Sequence, residues 1–377
     1  MIDEKFRYQY CPILSVSPAE TTALRELPSK DKNLILPVFP IKSWASANKL
    51  NSSLERIQSS LGENNYWIAD IDRNDLIARD DKKYREVHHE ITKLIDPRNG
   101  YKNWCRFVAE NKFIIPCLQL QELAEFDEQL NTLDSLGRGI VVILSPIDIQ
   151  AASLEKITPS LRKARNLLVI LDLEQITRAD VESYGKIKEL LLLIQGLIPN
   201  ARLSLSSTSF PDSFGGYYKG CISIHERAIF DKIRLEAPEL DLIYSDRGSA
   251  RAEKQSGGSG FPPPRIDYAC RNEWHFIRRE LATDTHGLDP EEKRNQHKTE
   301  RKLLYTEIAC EIMKQEYWEP ELALYSNYLV EVTAKGDDFG IDSPQKATAV
   351  RINKHLHTQL YYDNIDDAQD TDDDWVD

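Results

Sequence analysis

Eight short apolar runs, separated by helix-like segments, constrain this chain more than any other feature of its sequence. They are CPILSVS (11–17), LILPVFPI (34–41), YWIADID (66–72), KFIIPCLQLQ (112–121), GIVVILSP (139–146), LLVILDLEQ (167–175), RLSLSST (202–208) and LDLIYSD (240–246). Helices are predicted between them over Asn51–Leu61, Lys82–Ile95, Gln121–Leu136, Thr177–Leu197 and Ile224–Leu235. A strand followed by a helical crossover feeds a parallel neighbour. Eight such units match the usual size of a closed (β/α)8 barrel, about 250 residues. The competing open sheet would carry a G-x-G-x-x-G turn after a strand, and none of the runs is followed by one. The expected fold class is therefore α/β, a (β/α)8 TIM-barrel-like domain over residues 1–250.

The parity of the runs supports that choice. Strands of such a barrel are buried on both faces, so both faces read apolar. Trp67, Ala69 and Ile71 form one set in the third run, whereas the other passes from Ile68 to Asp70 and Asp72. The sixth run passes in the same way from Leu168 and Ile170 to Asp172 and Glu174. Ile115 and Cys117 lead to Gln119 in the fourth, and Ile13 leads to Ser15 in the first. One face turns polar only at the carboxyl end, as expected where strands open into a barrel mouth.

Beyond the eighth run the pattern changes. A Gly/Ser/Pro-rich loop is expected over 251–265, followed by a small α+β addition over 266–362 that packs on the barrel. That addition begins with two β-type runs around Arg271-Asn272. A helix is predicted from Pro290 to Tyr317, with Asp289 as cap. Another is predicted from Pro344 to Tyr361, capped by Ser343, with Ile352, Leu356 and Leu360 on one face. The end, DNIDDAQDTDDDWVD (363–377), reads as an acidic disordered tail.

That tail also explains most of the charge. It carries eight aspartates and no base, so a net charge of −13 leaves −5 for the other 362 residues. General affinity for nucleic acid is not expected of such a body. The tail is the expected partner contact, with Trp375 as an apolar anchor among Asp372, Asp373 and Asp374, and the partner is expected to be another protein. No run approaches the roughly 18–20 apolar residues of a membrane span, and MIDEKFRYQY lacks the pattern of a signal peptide. A soluble, cytoplasmic protein is expected. The six cysteines form no C-x-x-C pair, and the histidines of HHE (88–90) lack the i, i+4 spacing of a zinc motif.

The carboxyl ends of the strands hold the candidate site. Asp70, Asp172 and Glu174 are the candidate catalytic groups. Lys42, Gln119, Ser206, Thr208 and Arg247 are candidate substrate contacts, while Asp246 shares the parity of Leu242 and Tyr244 and is weaker. Converging carboxylates repel one another, which raises a pKa or recruits a divalent cation. Asp70, Asp72 and Asp172 could in this way hold Mg2+ or Mn2+ and activate water at a phosphodiester or nucleotide. A metal-free pair would suit glycoside hydrolysis. The plainer alternative is that these acids cap helices or pair with arginines. The loop with Ser209-Phe210-Pro211 and Gly215-Gly216 occupies a common phosphate-binding position, though without an established helix N-terminus.

Several segments also resemble one family. CPILSVSPAETTALREL, LILPVFPI, SSTSFPDSF, LIYSDRGSA, IDYACRNEWHFIRR and RINKHLH are similar to the phage-type protein beta family, over most of residues 10–360. Ser15 stands where that family is expected to carry a lysine, and Ser245 replaces the glycine of its Y-G-D. The resemblance implies a barrel-like fold and a role in phage–host conflict, in defence or as the phage-encoded counterpart. It supplies no reaction. The expected function is a binding or effector component of a protein complex, with the metal-dependent hydrolase as alternative.

Overall fold

A computed structural model of the chain describes residues 7–77, 84–150, 153–214, 217–252, 262–282 and 289–364. The expected tail contacts Trp375, Asp372, Asp373 and Asp374 lie outside these residues, as do Gly215 and Gly216. The protein is a mixed α/β chain with parallel sheets. It divides into two compact units. The first comprises residues 1–17, 32–209 and 225–248, the second 18–31, 210–224 and 249–377.

Among its described residues the first unit holds seven strands: β1 (Val38–Ile41), β2 (Trp67–Ile71), β3 (Ile114–Pro116), β4 (Ile140–Leu144), β5 (Leu167–Gln175), β6 (Ala201–Thr208) and, after β7 of the second unit (Lys219–Ser223), β8 (Ile243–Tyr244). β1, β2 and β3 pair in parallel, and so do β4, β5, β6 and β8. Isolated parallel bridges join Cys117 to Val141, Ile13 to Val38, and Tyr10 to both Ile35 and Tyr244. The first apolar run therefore contributes bridges and not a regular strand. Cys11, Ile13, Leu36, Val38, Ile68, Ile115, Cys117, Val141, Leu168, Ile170 and Ile243 form one buried cluster. These are the alternate residues of successive runs, so the side chains that precede Ser15, Asp70, Gln119 and Asp172 in each parity set share a core.

The helices between strands differ in detail from the sequence expectation. Thr177–Leu197 is two helices, Arg178–Glu182 and Tyr184–Leu197. Thr177 opens the first with a capping box, its own N–H donating to Asp180 Oδ2 at 2.7 Å. Gln121–Leu136 is a 3-10 turn, Leu123–Glu125, followed by the α-helix Phe126–Ser135. Helices Arg98–Glu110 and Ser153–Leu161 complete crossovers that the apolar runs alone did not mark.

The second unit is built on the antiparallel sheet β7–β10–β9, with β9 over Arg265–Ala269 and β10 over Glu273–Arg278. β9 and β10 form the hairpin expected around Arg271-Asn272. The second helix-rich layer contains Pro290–Ile312, shorter than expected from its sequence, with Tyr325–Ala334 and Pro344–Leu360. Asp289 caps the first of these through the N–H groups of Glu291 and Glu292, at 2.8 and 2.9 Å. Ser343 caps the last by accepting from the Lys346 N–H. Ser343→Ala is expected to destabilise the unit by about 1 kcal/mol, read by thermal unfolding.

Helix Pro344–Leu360 is buried on nearly every side, including its polar residues. Those residues are therefore paired within the unit. His357 Nδ1 meets Asp31 Oδ2 at 2.7 Å, Asn353 Nδ2 donates to the Ala23 carbonyl, and Lys354 Nζ donates to Glu319 at 2.5 Å. A buried polar group without such a partner would cost several kcal/mol.

Candidate functional site

Asp70 is the penultimate residue of β2 and is half-buried. Burial raises its pKa, opposed by the Ile71 N–H, the Gln119 amide and the charge of Arg73. Gln119 Nε2 donates to Asp70 Oδ1 at 3.3 Å, while the Gln119 oxygen accepts from Arg73. Gln119 is itself fixed by paired backbone bonds with the Gln129 amide, at 2.8 and 3.0 Å. Asp70 thus sits in a chain of polar contacts that ends on an arginine.

Asp172 at the carboxyl end of β5 has the same fate. Arg247 Nη2 donates to its Oδ2 at 2.5 Å, and the Glu174 N–H donates to its Oδ1 at 3.1 Å. The ion pair is largely buried, which strengthens its attraction and makes either charge costly to leave alone. Glu174 follows with a positive φ of 57° and an exposed side chain. Asp72 Oδ1 accepts from the Asp75 N–H at 3.1 Å, at the start of helix Arg73–Ile77. Asp72 and Asp172 therefore carry out the helix-end and arginine-pairing roles that carboxylates at strand ends often take. Among the described residues, no group of three or more His, Cys, Asp and Glu side chains is placed to hold a metal ion.

Ser15 and Ser245 both have partners. Lys42 Nζ, just beyond the second run, donates to Ser15 Oγ. Ser245 Oγ donates to the Cys11 carbonyl at 2.6 Å. Thr208 is buried, with its carbonyl accepting from the Ile176 N–H at 2.8 Å. Ser206 Oγ and Arg247 Nε are buried and have no hydrogen-bond partner among the described residues. Ser206 is the register partner of Asp172, so both orphaned donors adjoin the Asp172–Arg247 pair.

Two further polar clusters are present, one that the reading of the sequence missed and one around Asp246, which it ranked as the weaker candidate. In one, Ser43 Oγ donates to Asp75 Oδ2 at 3.0 Å and lies 3.3 Å from His88 Nε2. The residue types are those of a nucleophile triad, but the tautomer is wrong. The Arg85 N–H donates to His88 Nδ1 at 2.7 Å, so Nε2 carries the ring hydrogen and faces Ser43 as a donor. Asp75 meets the serine, not the imidazole, and the cluster pins loops together.

The other cluster surrounds Asp246, whose Oδ1 accepts from Tyr10 OH at 2.7 Å and the Gly248 N–H at 2.8 Å. Nearby Glu226 is fully buried, and it accepts from the Ser209 N–H at 2.9 Å and from the Ser209 hydroxyl. Burial, aided by the charge of Asp246, pushes its carboxyl up to about 8. Arg227 stacks over Tyr244, 4.3 Å from the ring centre. In sequence Glu226 is only an acid in a first helical turn, a frequent surface position, so nothing local marked it.

These features define an α/β protein whose parallel strands end in a mutually paired polar network. A family model described as Beta protein matches residues 10–361, and the chain belongs to the Beta protein family. It is 26% identical over 370 residues to "Protein beta" of Enterobacteria phage P4, covering 94% of this chain and 93% of that protein. No described helix is long and apolar enough to cross a membrane.

Proposed function

We propose that the first unit is a closed (β/α)8 barrel acting as the scaffold of a binding component in phage–host conflict. The run of parallel pairs and bridges, with Tyr10 bridged to both Ile35 and Tyr244, supports closure. The phage origin of the relative supports the setting. One observation carries the binding role: the acids at the strand ends are engaged, Asp172 with Arg247 and Asp70 with Gln119 and Arg73. A carboxylate so held has few lone pairs left for a metal. The protein works in the cytoplasm, in keeping with six free thiols. Its partner is another protein, contacted through the second unit or the acidic residues after Asn364.

The alternative is a hydrolase of phosphodiester or nucleotide substrates at the barrel mouth. It draws support from the orphaned donors Ser206 Oγ and Arg247 Nε, which suit a phosphate oxygen. Expression of wild type, of the double variant Asp70→Asn/Asp172→Asn and of a chain lacking 363–377 separates the two. The binding reading expects the double variant to alter phage plating as wild type does and the truncated chain to lose the effect. Loss of the effect in a folded double variant, together with wild-type cleavage of a model phosphodiester in manganese, would establish the hydrolase instead.

A further inference from the structure

We propose that the second unit binds a phosphate monoester among the arginines gathered on the loop 210–214. Four guanidinium groups meet that loop. Arg351 stacks on Phe210, 4.0 Å from the ring centre, and Arg265 stacks on Phe214 at 3.7 Å. Arg251 Nε donates to the Pro211 carbonyl at 2.8 Å, and Arg278 Nη1 donates to the Phe214 carbonyl at 3.1 Å. The two rings pack on each other, with 5.5 Å between their centres. One short loop thus holds four like charges close together.

The acids around them are too few or too wet to match that charge. Asp267 is buried but serves two of the four, its Oδ2 accepting from Arg351 at 2.7 Å and from Arg265 at 3.0 Å. Glu20, also buried, adds its charge at Arg351. Arg278 pairs with Glu280, which is half-exposed, and Asp212 lies 3.9 Å from Arg251 with its side chain 80% exposed. Carboxylates that water reaches compensate weakly. Burial lowers the pKa of Arg251; Asp212 opposes this, and the like charge of Arg265 adds to it. Arg278 Nε is buried with no hydrogen-bond partner among the described residues. The donors indicate the ligand. A guanidinium fork matches the oxygens of a phosphate. A monoester carries about two charges at neutral pH, whereas a carboxylate or a diester carries one, so under-compensated arginines favour the monoester. The stacked rings hold the planes of Arg265 and Arg351 before any ligand arrives. A small molecule with a terminal phosphate fits better than a nucleic acid, because a chain with a net charge of −13 offers no general basic surface to a phosphate backbone. This site adds a ligand to the second unit, and it stands whether or not the first unit is a closed barrel.

Titration calorimetry of the full chain tests the site, with methyl phosphate as the monoester and dimethyl phosphate as the singly charged control. Wild type is expected to bind the monoester about tenfold more tightly than the diester. Arg251→Gln is expected to weaken the monoester about tenfold, and Arg251→Lys, which keeps the charge without the fork, to recover part of that loss. Circular dichroism of each variant confirms folding. A wild type that takes up no monoester, or that binds both esters equally, overturns the proposal. So does a folded Arg251→Gln chain that binds methyl phosphate as wild type does, because the phosphate must then sit elsewhere.

Discussion

Replacing Arg351 by alanine is expected to lower the stability of the second unit by about 3–5 kcal/mol, the cost of removing one partner from a buried ion pair. Arg351 Nη1 donates to Asp267 Oδ2 at 2.7 Å, its Nε donates to Ser249 Oγ at 3.2 Å, and its guanidinium stacks 4.0 Å from the centre of Phe210. Both side chains are buried, 7% and 4% exposed. Burial lowers the pKa of Arg351, and Asp267 offsets part of that loss. Alanine would leave Asp267 with Arg265 alone, at 2.7 Å on its other oxygen, and would strip a flat cation from an aromatic face. Urea unfolding followed through Trp274 and Trp318, both in this unit, reads the change. The double variant Arg351→Met/Asp267→Leu should lose much less, since removing both charges leaves no uncompensated ion. A loss below about 1 kcal/mol in Arg351→Ala would place the pair in an effectively aqueous setting.

Arg351 also illustrates what the sequence could and could not convey. RINKHLH reads as an amphipathic helix with its polar residues in water, yet the unit buries Arg351, Asn353, Lys354, His355 and His357. Their partners, Asp267, Ala23, Glu319, Trp274 and Asp31, come from distant parts of the chain and leave no local trace. Local signals fared better. Asp289 and Ser343 were recognisable as caps because a cap needs only its own next turn. The strands of the first unit were recognisable because burial on two faces produces unbroken apolar runs. β7 was not: KGCIS has one aliphatic residue, and the pattern of an edge strand is set by what it lacks on one side. Parity put Asp70 and Asp172 in register with the residues of a shared core, and arginine pairing was the plainer alternative, but which arginine holds which acid could not be inferred. Arg247 is 75 positions from Asp172, and only the parallel order β5–β6–β8 brings them together. The same parity argument placed Asp246 on the other face, where Tyr10 and Gly248 hold it.

Glu226 should make the first unit less stable as the pH rises. Its carboxyl titrates near 8 in the folded protein, against an ordinary value of 4.5. Between those values the folded chain keeps the proton that the unfolded chain has released. Stability then falls with pH, because the state that binds more protons is favoured by acid. Below about 4.5 both states are protonated and the group contributes no slope; above about 8 both are ionised and the penalty has reached its full extent. At roughly 1.4 kcal/mol for each tenfold change in proton affinity, that extent is about 5 kcal/mol. Burial is its main source, and the hydrogen bonds from Ser209 already oppose it. Glu226→Gln keeps the shape and an oxygen that can accept from the Ser209 N–H, and it carries no charge at any pH. Urea unfolding of the two proteins at intervals from pH 4 to 9 should give curves that meet near pH 4.5 and diverge steadily up to about pH 8, with the glutamine variant the more stable. Parallel curves would mean that water or a cation reaches Glu226 in solution. Above about pH 8 the ionised carboxylate, held by Ser209 and opposed by the charge of Asp246, is then the strain that the first unit carries.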